Sequence, residues 1–180
     1  GKPCIAVASG DPALRGKWEA WRVETAPGGL RISGSDARGA IFGIYAFAER
    51  YLGVDPLYFW SGREPAKRSR LNWDQVRLEG GEPTFHFRGW FINDEDLLTE
   101  WRDGGGRRDI DYPFYHQVTA PEVLERVFEA ALRLRMNLII PAREWAAWLN
   151  LMDNTSGGRF SDARMNATFI AQDGTGQALR

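Results

Sequence analysis

Short segments in which apolar and polar residues alternate predict a small sheet near the start of the chain. Cys4–Ser9 is an apolar run that ends at a Gly-Asp-Pro turn, which is typical of a strand. Trp18–Thr25 alternates and is followed by Pro27-Gly-Gly29 and by the apolar residues of Leu30–Ser33. This order predicts a β-hairpin next to the first strand.

A helix is predicted directly after the hairpin. Ser35 or Asp36 can cap its first turn, and apolar residues then recur at helical spacing until Gly53, a typical residue just past a helix end. Gly39 and Gly43 lie four residues apart, so one face of the helix can pack closely on a sheet.

The segment between this helix and residue 83 contains one aromatic stretch and a linker. Leu57–Trp60 is either a core strand or an aromatic platform at the edge of a cleft. Glu64–Asn72 is a charged, solvated connector, and Trp73–Leu78 is a short strand. Glu79–Pro83 has the turn composition of a linker, so we place a domain boundary there.

Residues 85–92 predict a buried strand that ends in a cluster of polar groups. The strand is rich in aromatic residues, and Asn93-Asp-Glu-Asp96 follows where it would emerge from a sheet. Gly89 inside it indicates a close approach of another backbone or of a ligand. Two interpretations compete for Asn93–Asp96: an acidic turn, or a functional site at a strand end, as in α/β folds.

The rest of the chain predicts a strand, loop, helix and strand in that order. Arg102–Asp111 is rich in glycine and charge and is expected to be a loop. Thr119-Ala-Pro-Glu122 has the pattern of a capping box with Pro inside the helix, and Asn137–Pro141 is a short apolar strand. A strand–helix–strand unit of this kind places its strands in parallel.

The predicted architecture is therefore α/β, with a small N-terminal α/β domain over 1–80 that begins mid-domain. Residues 81–180 are expected to be the opening βαβ part of a TIM-type (β/α) barrel, incomplete in this chain. Residues 152–180 show no strong periodicity.

Composition excludes several kinds of partner. The formal net charge is -1 over 180 residues, so there is no basic field for nucleic acid, and no run is long enough to cross a membrane. The single Cys4 is expected to be a buried thiol. His86 is expected in a strand and His116 in a loop, and neither has a metal-ligand partner at typical spacing, so no metal or cofactor is expected.

Several stretches together resemble family 115 of the glycoside hydrolases, the xylan α-1,2-glucuronidases. The similarity is carried by Gly16-Lys-Trp-Glu19, Ile32–Tyr45 with Arg38-Gly39, Gly53–Trp60, Gly81-Glu-Pro83, Phe87–Glu95 and Phe128–Pro141. It covers roughly residues 16 to 142. The resemblance implies a first barrel strand ending at Asn93-Asp-Glu95, and further catalytic carboxylates on later barrel strands.

The resemblance also implies roles for individual residues. Asp94 would be catalytic, Asn93 would hydrogen-bond sugar hydroxyls, and Glu95 would bind substrate or brace a neighbour. A uronic acid substrate favours Arg as the partner of its carboxylate, and Arg143 and Arg88 are placed for this by position alone, with a structural salt bridge as the alternative for each. Trp60 and Trp145 are the expected stacking surfaces for sugar rings.

Three hypotheses follow: a piece of a carbohydrate hydrolase, a carbohydrate-binding or gating module without chemistry, and an unrelated structural domain. By resemblance the partner is an oligosaccharide or polysaccharide, the location is secreted or periplasmic, and a homo-oligomer is possible through the parent protein. The isolated chain is expected to be inactive, because a lone βαβ unit lacks the remaining barrel strands.

Overall fold

The computed structural model describes residues 4–72, 74–92, 97–98, 100–101, 106–111, 114–140, 168–169, 171–172 and 178–179. For residues 106–111, 114–118, 121 and the strands after residue 167, it describes the backbone alone. The protein is a mixed α/β chain. It divides into two units, the first formed by Gly1–His86 with Leu132–Leu134 and the second by Phe87–Ala131 with Arg135–Arg180.

The first unit is built on a four-stranded mixed sheet in the order β1-β3-β2-β4. Its strands are β1 (Cys4–Ser9), β2 (Trp21–Ala26), β3 (Gly29–Gly34) and β4 (Arg77–Gly80). β2 and β3 form the antiparallel hairpin that the alternating pattern predicts. β1 pairs in parallel with β3, and β4 pairs antiparallel with β2.

Helix α1 (Ala37–Phe47) packs on this sheet and continues into a π-helical turn over Ala48–Leu52. Asp36 is its cap, as predicted, and accepts the Gly39 amide at 2.7 Å. A Cβ on Gly39 would overlap the carbonyl oxygen of Ala20, which explains why a glycine stands on this face. Gly53 ends the helix with a φ of 72°, as its position predicts.

Apolar side chains from the sheet and from α1 form the core of this unit. Val23, Leu30 and Ile32 from the strands and Phe42 from the helix are at most 2% exposed. Trp21, Ala46, Phe47, Val76 and Leu132 belong to the same cluster. Strand side chains that repeat every two residues thus pack against helix side chains that repeat every 3.6 residues, in one buried layer.

The aromatic stretch at Leu57–Trp60 is helical, so the prediction of a strand there was wrong. Helix α2 spans Tyr58–Ser61. It begins because the Asp55 side chain accepts the Leu57 amide at 2.7 Å and Pro56 follows that aspartate. A turn formed by Asp and Pro outweighs the β-propensity of the aromatic residues.

The prediction of a buried thiol was also wrong, because Cys4 is exposed. It lies on β1, the edge strand of the sheet, in which every residue is exposed. Ile5 and Val7 on the same strand are 48% and 50% exposed. An apolar run predicts a strand but does not tell whether both of its faces are covered.

The second unit contains a parallel three-stranded sheet, a helix and two hairpins. In the sheet, β5 (Gly89–Phe91) and β9 (Thr168–Phe169) each pair in parallel with β8 (Leu138–Ile140). Helix α3 spans Pro121–Arg133. The hairpins pair β6 (Gly106–Asp111) with β7 (Phe114–Thr119), and β10 (Ala171–Gln172) with β11 (Ala178–Leu179).

The parallel pairing of β5 with β8 confirms the prediction from the strand–helix–strand order. The prediction of a long buried strand over 85–92 was wrong, since the strand is limited to three residues. Phe85, Phe87 and Phe91 are 71%, 65% and 65% exposed. Aromatic residues indicate strands because they pack against neighbours, and the described residues leave these three side chains largely uncovered.

Several local predictions around residues 86–121 need correction. Residues 106–111 of the expected loop form β6, because backbone pairing with β7 decides the structure of this charged segment. His116, expected in a loop, lies in β7, while His86, expected in a strand, lies outside one. Pro121 is the first helical residue, but Thr119, the expected cap, is the last residue of β7. Ala120 lies between them and directly precedes the helix.

Candidate active site

The expected site residues follow two neighbouring parallel strands. Phe91 at the end of β5 pairs with Ile140 at the end of β8, and the Ile92 amide donates to the Ile140 carbonyl at 3.0 Å. The carboxyl ends of both strands therefore meet at one edge of the sheet, which we call the strand edge. In α/β sheets this edge is where ligands bind.

Five expected site residues come directly after these two strands in the sequence. Asn93, Asp94 and Glu95 follow β5, and Arg143 and Trp145 follow β8. All five lie outside the described residues, so their roles remain predictions. What the structure brings together is the pair of strand ends from which they continue.

Gly89 determines how closely the two strands approach each other. A Cβ at this position would overlap the carbonyl oxygen of Leu138. The close backbone approach predicted for a glycine inside this segment is confirmed, and the neighbour is β8. Any larger residue would separate the strands at their amino ends.

Asn137 fixes the register of β8 against β5. Its Oδ1 accepts the Arg88 amide at 3.0 Å, and its own amide donates to the Arg88 carbonyl at 2.8 Å. Asn137 is 3% exposed, so these bonds form away from water, where an unsatisfied polar group is costly. A one-residue slip would break both bonds and turn every side chain to the other face.

Arg88 lies at the opposite end of β5 from the expected site residues. It precedes Gly89, and its Nε donates to the Arg135 carbonyl at 2.9 Å. Arg135 has a φ of 58°, an uncommon conformation for a residue with a side chain. Arg88 lies at the amino end of β5, whereas the strand edge lies at the carboxyl end. Its role toward a substrate carboxylate and the alternative of a structural salt bridge both remain predictions.

Trp60, the expected stacking residue that the structure describes, belongs to the first unit. It lies in helix α2, is half-buried, and its ring meets that of Phe59 edge-on at 5.1 Å between centroids. The stacking of a sugar on Trp60 remains a prediction.

A second cluster of polar residues, in the first unit, was not identified as a cluster from the sequence. Glu19 is 3% exposed and forms an ion pair with Arg38 at 2.5 Å. The Glu19 amide donates to Asp36 at 2.7 Å, and Ser35 accepts the Ala20 amide at 3.0 Å. Its members are 15 to 19 residues apart in the sequence, so local patterns do not indicate the cluster. The available signal was that Glu19 and Arg38 both fall within the stretches that resemble the family.

Beside this cluster, Trp18 stacks on His86. The ring centroids are 4.3 Å apart and the planes differ by 12°. Within the residues that the structure describes, no group of three His, Cys, Asp or Glu side chains is arranged to hold a metal ion. Among the same residues, no helix is both long and apolar enough to cross a membrane.

The described geometry is that of an α/β protein in which the carboxyl ends of two parallel strands meet at one edge of a sheet. The model of glycosyl hydrolase family 115 matches residues 80–167, which include both strands of that edge. A solved structure, that of a family GH115 4-O-methyl-alpha-glucuronidase with specificity for decorated arabinogalactans, is similar at a TM-score of 0.60 and 32% sequence identity. The match covers 77% of this chain and 19% of that one.

These two matches agree with the sequence resemblance, and the chain belongs to glycosyl hydrolase family 115. It spans about a fifth of the length of the solved relative. No curated protein matches the chain.

Proposed function

We propose that this chain is part of a glycoside hydrolase that removes α-linked glucuronic acid, or its 4-O-methyl ether, from a polysaccharide. The family match and the activity named for the solved relative support this. The observation that carries the proposal is the parallel pairing of β5 and β8. Asn93-Asp-Glu95 and Arg143 continue from ends that meet at one strand edge.

Asp94 is the proposed catalytic residue. Cleavage of a glycosidic bond needs one carboxyl group to protonate the leaving oxygen, and a second carboxylate that either attacks the anomeric carbon or activates water. One of these roles falls to Asp94, at the end of the first strand. Asn93 would bind sugar hydroxyls, and Glu95 would bind substrate or hold Asp94 in place.

The uronic acid carries its own carboxylate, and this sets the rest of the proposed site. A planar guanidinium binds a carboxylate through two parallel hydrogen bonds, which is the role proposed for Arg143. Trp145 and Trp60 are proposed to contact the apolar faces of sugar rings.

Two polysaccharides are candidates for the substrate from which glucuronic acid is released. Xylan is the substrate that the family resemblance implies, whereas the solved relative is named for decorated arabinogalactans. Both carry glucuronic acid as a side group, so the same recognition of the carboxylate serves either. Release of glucuronic acid from glucuronoxylan and from arabinogalactan, measured side by side, distinguishes them.

We also propose that the three parallel strands β5, β8 and β9 are the opening of a (β/α) barrel. Their order, with a helix between the first two, is that of successive barrel strands. In such a barrel the carboxyl ends of the strands form the active face, which agrees with the position proposed for Asp94.

The test of Asp94 is steady-state kinetics on the complete enzyme that carries this chain. Asp94→Asn keeps the shape of the side chain and removes its charge, so kcat should fall by about 10²- to 10⁴-fold. Glu95→Gln should cost less if Glu95 only holds its neighbour. Circular dichroism and thermal melting control for folding. An Asp94→Asn enzyme that melts like wild type and keeps more than about half of its kcat would remove Asp94 from the site.

A further inference from the structure

A groove on the first unit has a chemical character unlike the rest of the chain. It has a volume of about 480 Å³ and lies between the residues that follow α1 and the connector over 65–71. Leu52, Val54 and Leu71 supply apolar surface to it, and Lys67, Arg68 and Arg70 supply charge. We call it the basic groove.

The three cations of the basic groove are available to a ligand. Lys67, Arg68 and Arg70 are exposed, and in the part of the chain that the structure describes none of them has an ion pair or hydrogen-bond partner. Among the residues that the structure describes, no acidic side chain lines the groove. Because the whole chain has a formal net charge of -1, this is a local concentration of positive charge.

The position of Arg68 is set by the end of the preceding helix. A Cβ on Gly53 would lie 3.5 Å from the Arg68 Nη2, so the guanidinium lies beside the backbone that ends the π-helical turn. The carbonyl end of a helix carries a partial negative charge and favours a nearby cation. Arg68 therefore lies at the groove next to the helix end in the absence of a ligand.

We propose that the basic groove binds the carboxylates of an acidic polysaccharide, apart from the strand edge at which hydrolysis is proposed. Uronic acid side groups would pair with Lys67, Arg68 and Arg70, and the apolar faces of neighbouring sugar rings would contact the aliphatic surface. The choice of a polysaccharide that carries uronic acid rests on the proposed function.

The size of the charged patch favours a polysaccharide over a nucleic acid. A DNA-binding protein with a basic face contacts about six to ten phosphates. The basic groove has three cations, on a chain with no net positive charge. A polysaccharide with a few carboxylates on an otherwise neutral sugar chain is complementary to three cations beside apolar side chains.

Affinity electrophoresis and calorimetry on the full chain test this inference without any turnover. Glucuronoxylan should bind, and the same polysaccharide with its carboxylates reduced to alcohols should not. The triple variant Lys67→Gln, Arg68→Gln, Arg70→Gln should raise the Kd roughly ten-fold or more, because three exposed charge contacts are lost together. Raising the salt concentration should weaken the wild type and leave the variant little changed.

The matched control replaces three exposed cations outside the groove, as Arg15→Gln, Lys17→Gln, Arg77→Gln. It makes the same change in net charge and should keep wild-type affinity. Equal losses in both triple variants, or equal binding of the reduced polysaccharide, would overturn the inference. Tighter binding to single-stranded DNA than to glucuronoxylan would also overturn it.

These results are separable from those on the proposed hydrolysis. Complete enzyme that fails to release glucuronic acid, while the chain still binds through the three cations, contradicts the proposed function alone. Normal hydrolysis with no effect of the triple variant on polysaccharide binding contradicts the basic groove alone.

Discussion

At the scale of single residues, the first unit depends on a buried carboxylate in an uncommon backbone conformation. Glu19 has a φ of 52°, and its side chain is paired with Arg38. A residue with a side chain adopts this φ only where its surroundings compensate for the strain. Here the compensation comes from the ion pair and from the bond between the Glu19 amide and Asp36.

Asp11 gives the same unit a pH-dependent contribution to stability. Its pKa lies below the usual value because the Ser33 hydroxyl donates to it at 2.6 Å and the Ala13 amide at 2.9 Å. A carboxyl whose pKa is lower in the folded state stabilises that state fully above its unfolded pKa, about 3.9. This contribution is lost as the pH falls through the folded pKa.

We therefore expect Asp11→Asn to be destabilised relative to wild type at pH 7, and we expect this difference to shrink as the pH falls from 7 through the folded pKa of Asp11. The measurement is the free energy of unfolding by urea across this range. Ser33→Ala removes the main cause of the lowered pKa without changing a charge, so it should reduce the same pH dependence. Parallel pH profiles for wild type and Asp11→Asn would contradict a lowered pKa of Asp11 in the folded state.

At the scale of elements, the pairing of β5 with β8 decides where the proposed catalytic residues meet. Asn137 holds the register, and Gly89 permits the approach. Both act at the amino ends of the strands, whereas the strand edge lies at the carboxyl ends. Changes there are expected to act on the site only through the position of the strands.

Gly89→Ala is expected to destabilise this pairing by about 3 kcal/mol, because the new methyl group would overlap the Leu138 carbonyl. Hydrogen exchange should report it as a loss of protection at the amides of Leu138 and Ile92, which donate across the two strands. Gly81→Ala is the matched control, since a Cβ at Gly81 meets nothing within 4 Å. Equal protection in the two variants would contradict the close approach of the strands.

At the scale of the whole molecule, several large apolar side chains are exposed. Phe87 and Phe91 of the second unit are each 65% exposed, and Leu97 is 69% exposed. Contiguous apolar surface on a protein in solution favours association. The edge strand β1, whose residues are all exposed, adds unpaired backbone groups in the first unit.

We expect the 180-residue chain to self-associate at micromolar concentration and not to release glucuronic acid from glucuronoxylan. Sedimentation should show that Phe87→Ser with Phe91→Ser weakens the association. Leu57→Ser with Leu134→Ser, at residues 40% and 38% exposed, is the control and should change it less. A monomeric wild-type chain at high concentration, or turnover by that chain, would refute this expectation.

Local physics made much of the first unit predictable from the sequence. The β2–β3 hairpin follows from alternation around a glycine turn, and α1 follows from its cap at Asp36 and its end at Gly53. These signals depend on residues within a few positions of each other. The parallel pairing of β5 with β8 was also predictable, because a helix between two strands leaves few other arrangements.

Contacts between distant residues decided the rest. The sequence left Arg88 between a substrate role and a structural role, and its bond to the Arg135 carbonyl, 47 residues away, is a contact that only the tertiary structure shows. The sequence determined that residues 106–111 are charged, and only pairing with β7 made them a strand. It determined that Lys67, Arg68 and Arg70 are basic, whereas their place at one groove together with Leu52 and Val54 is a property of the tertiary structure. Periodicity and capping depend on interactions between residues that are close in the sequence. Burial and charge environment depend on which distant segments come together.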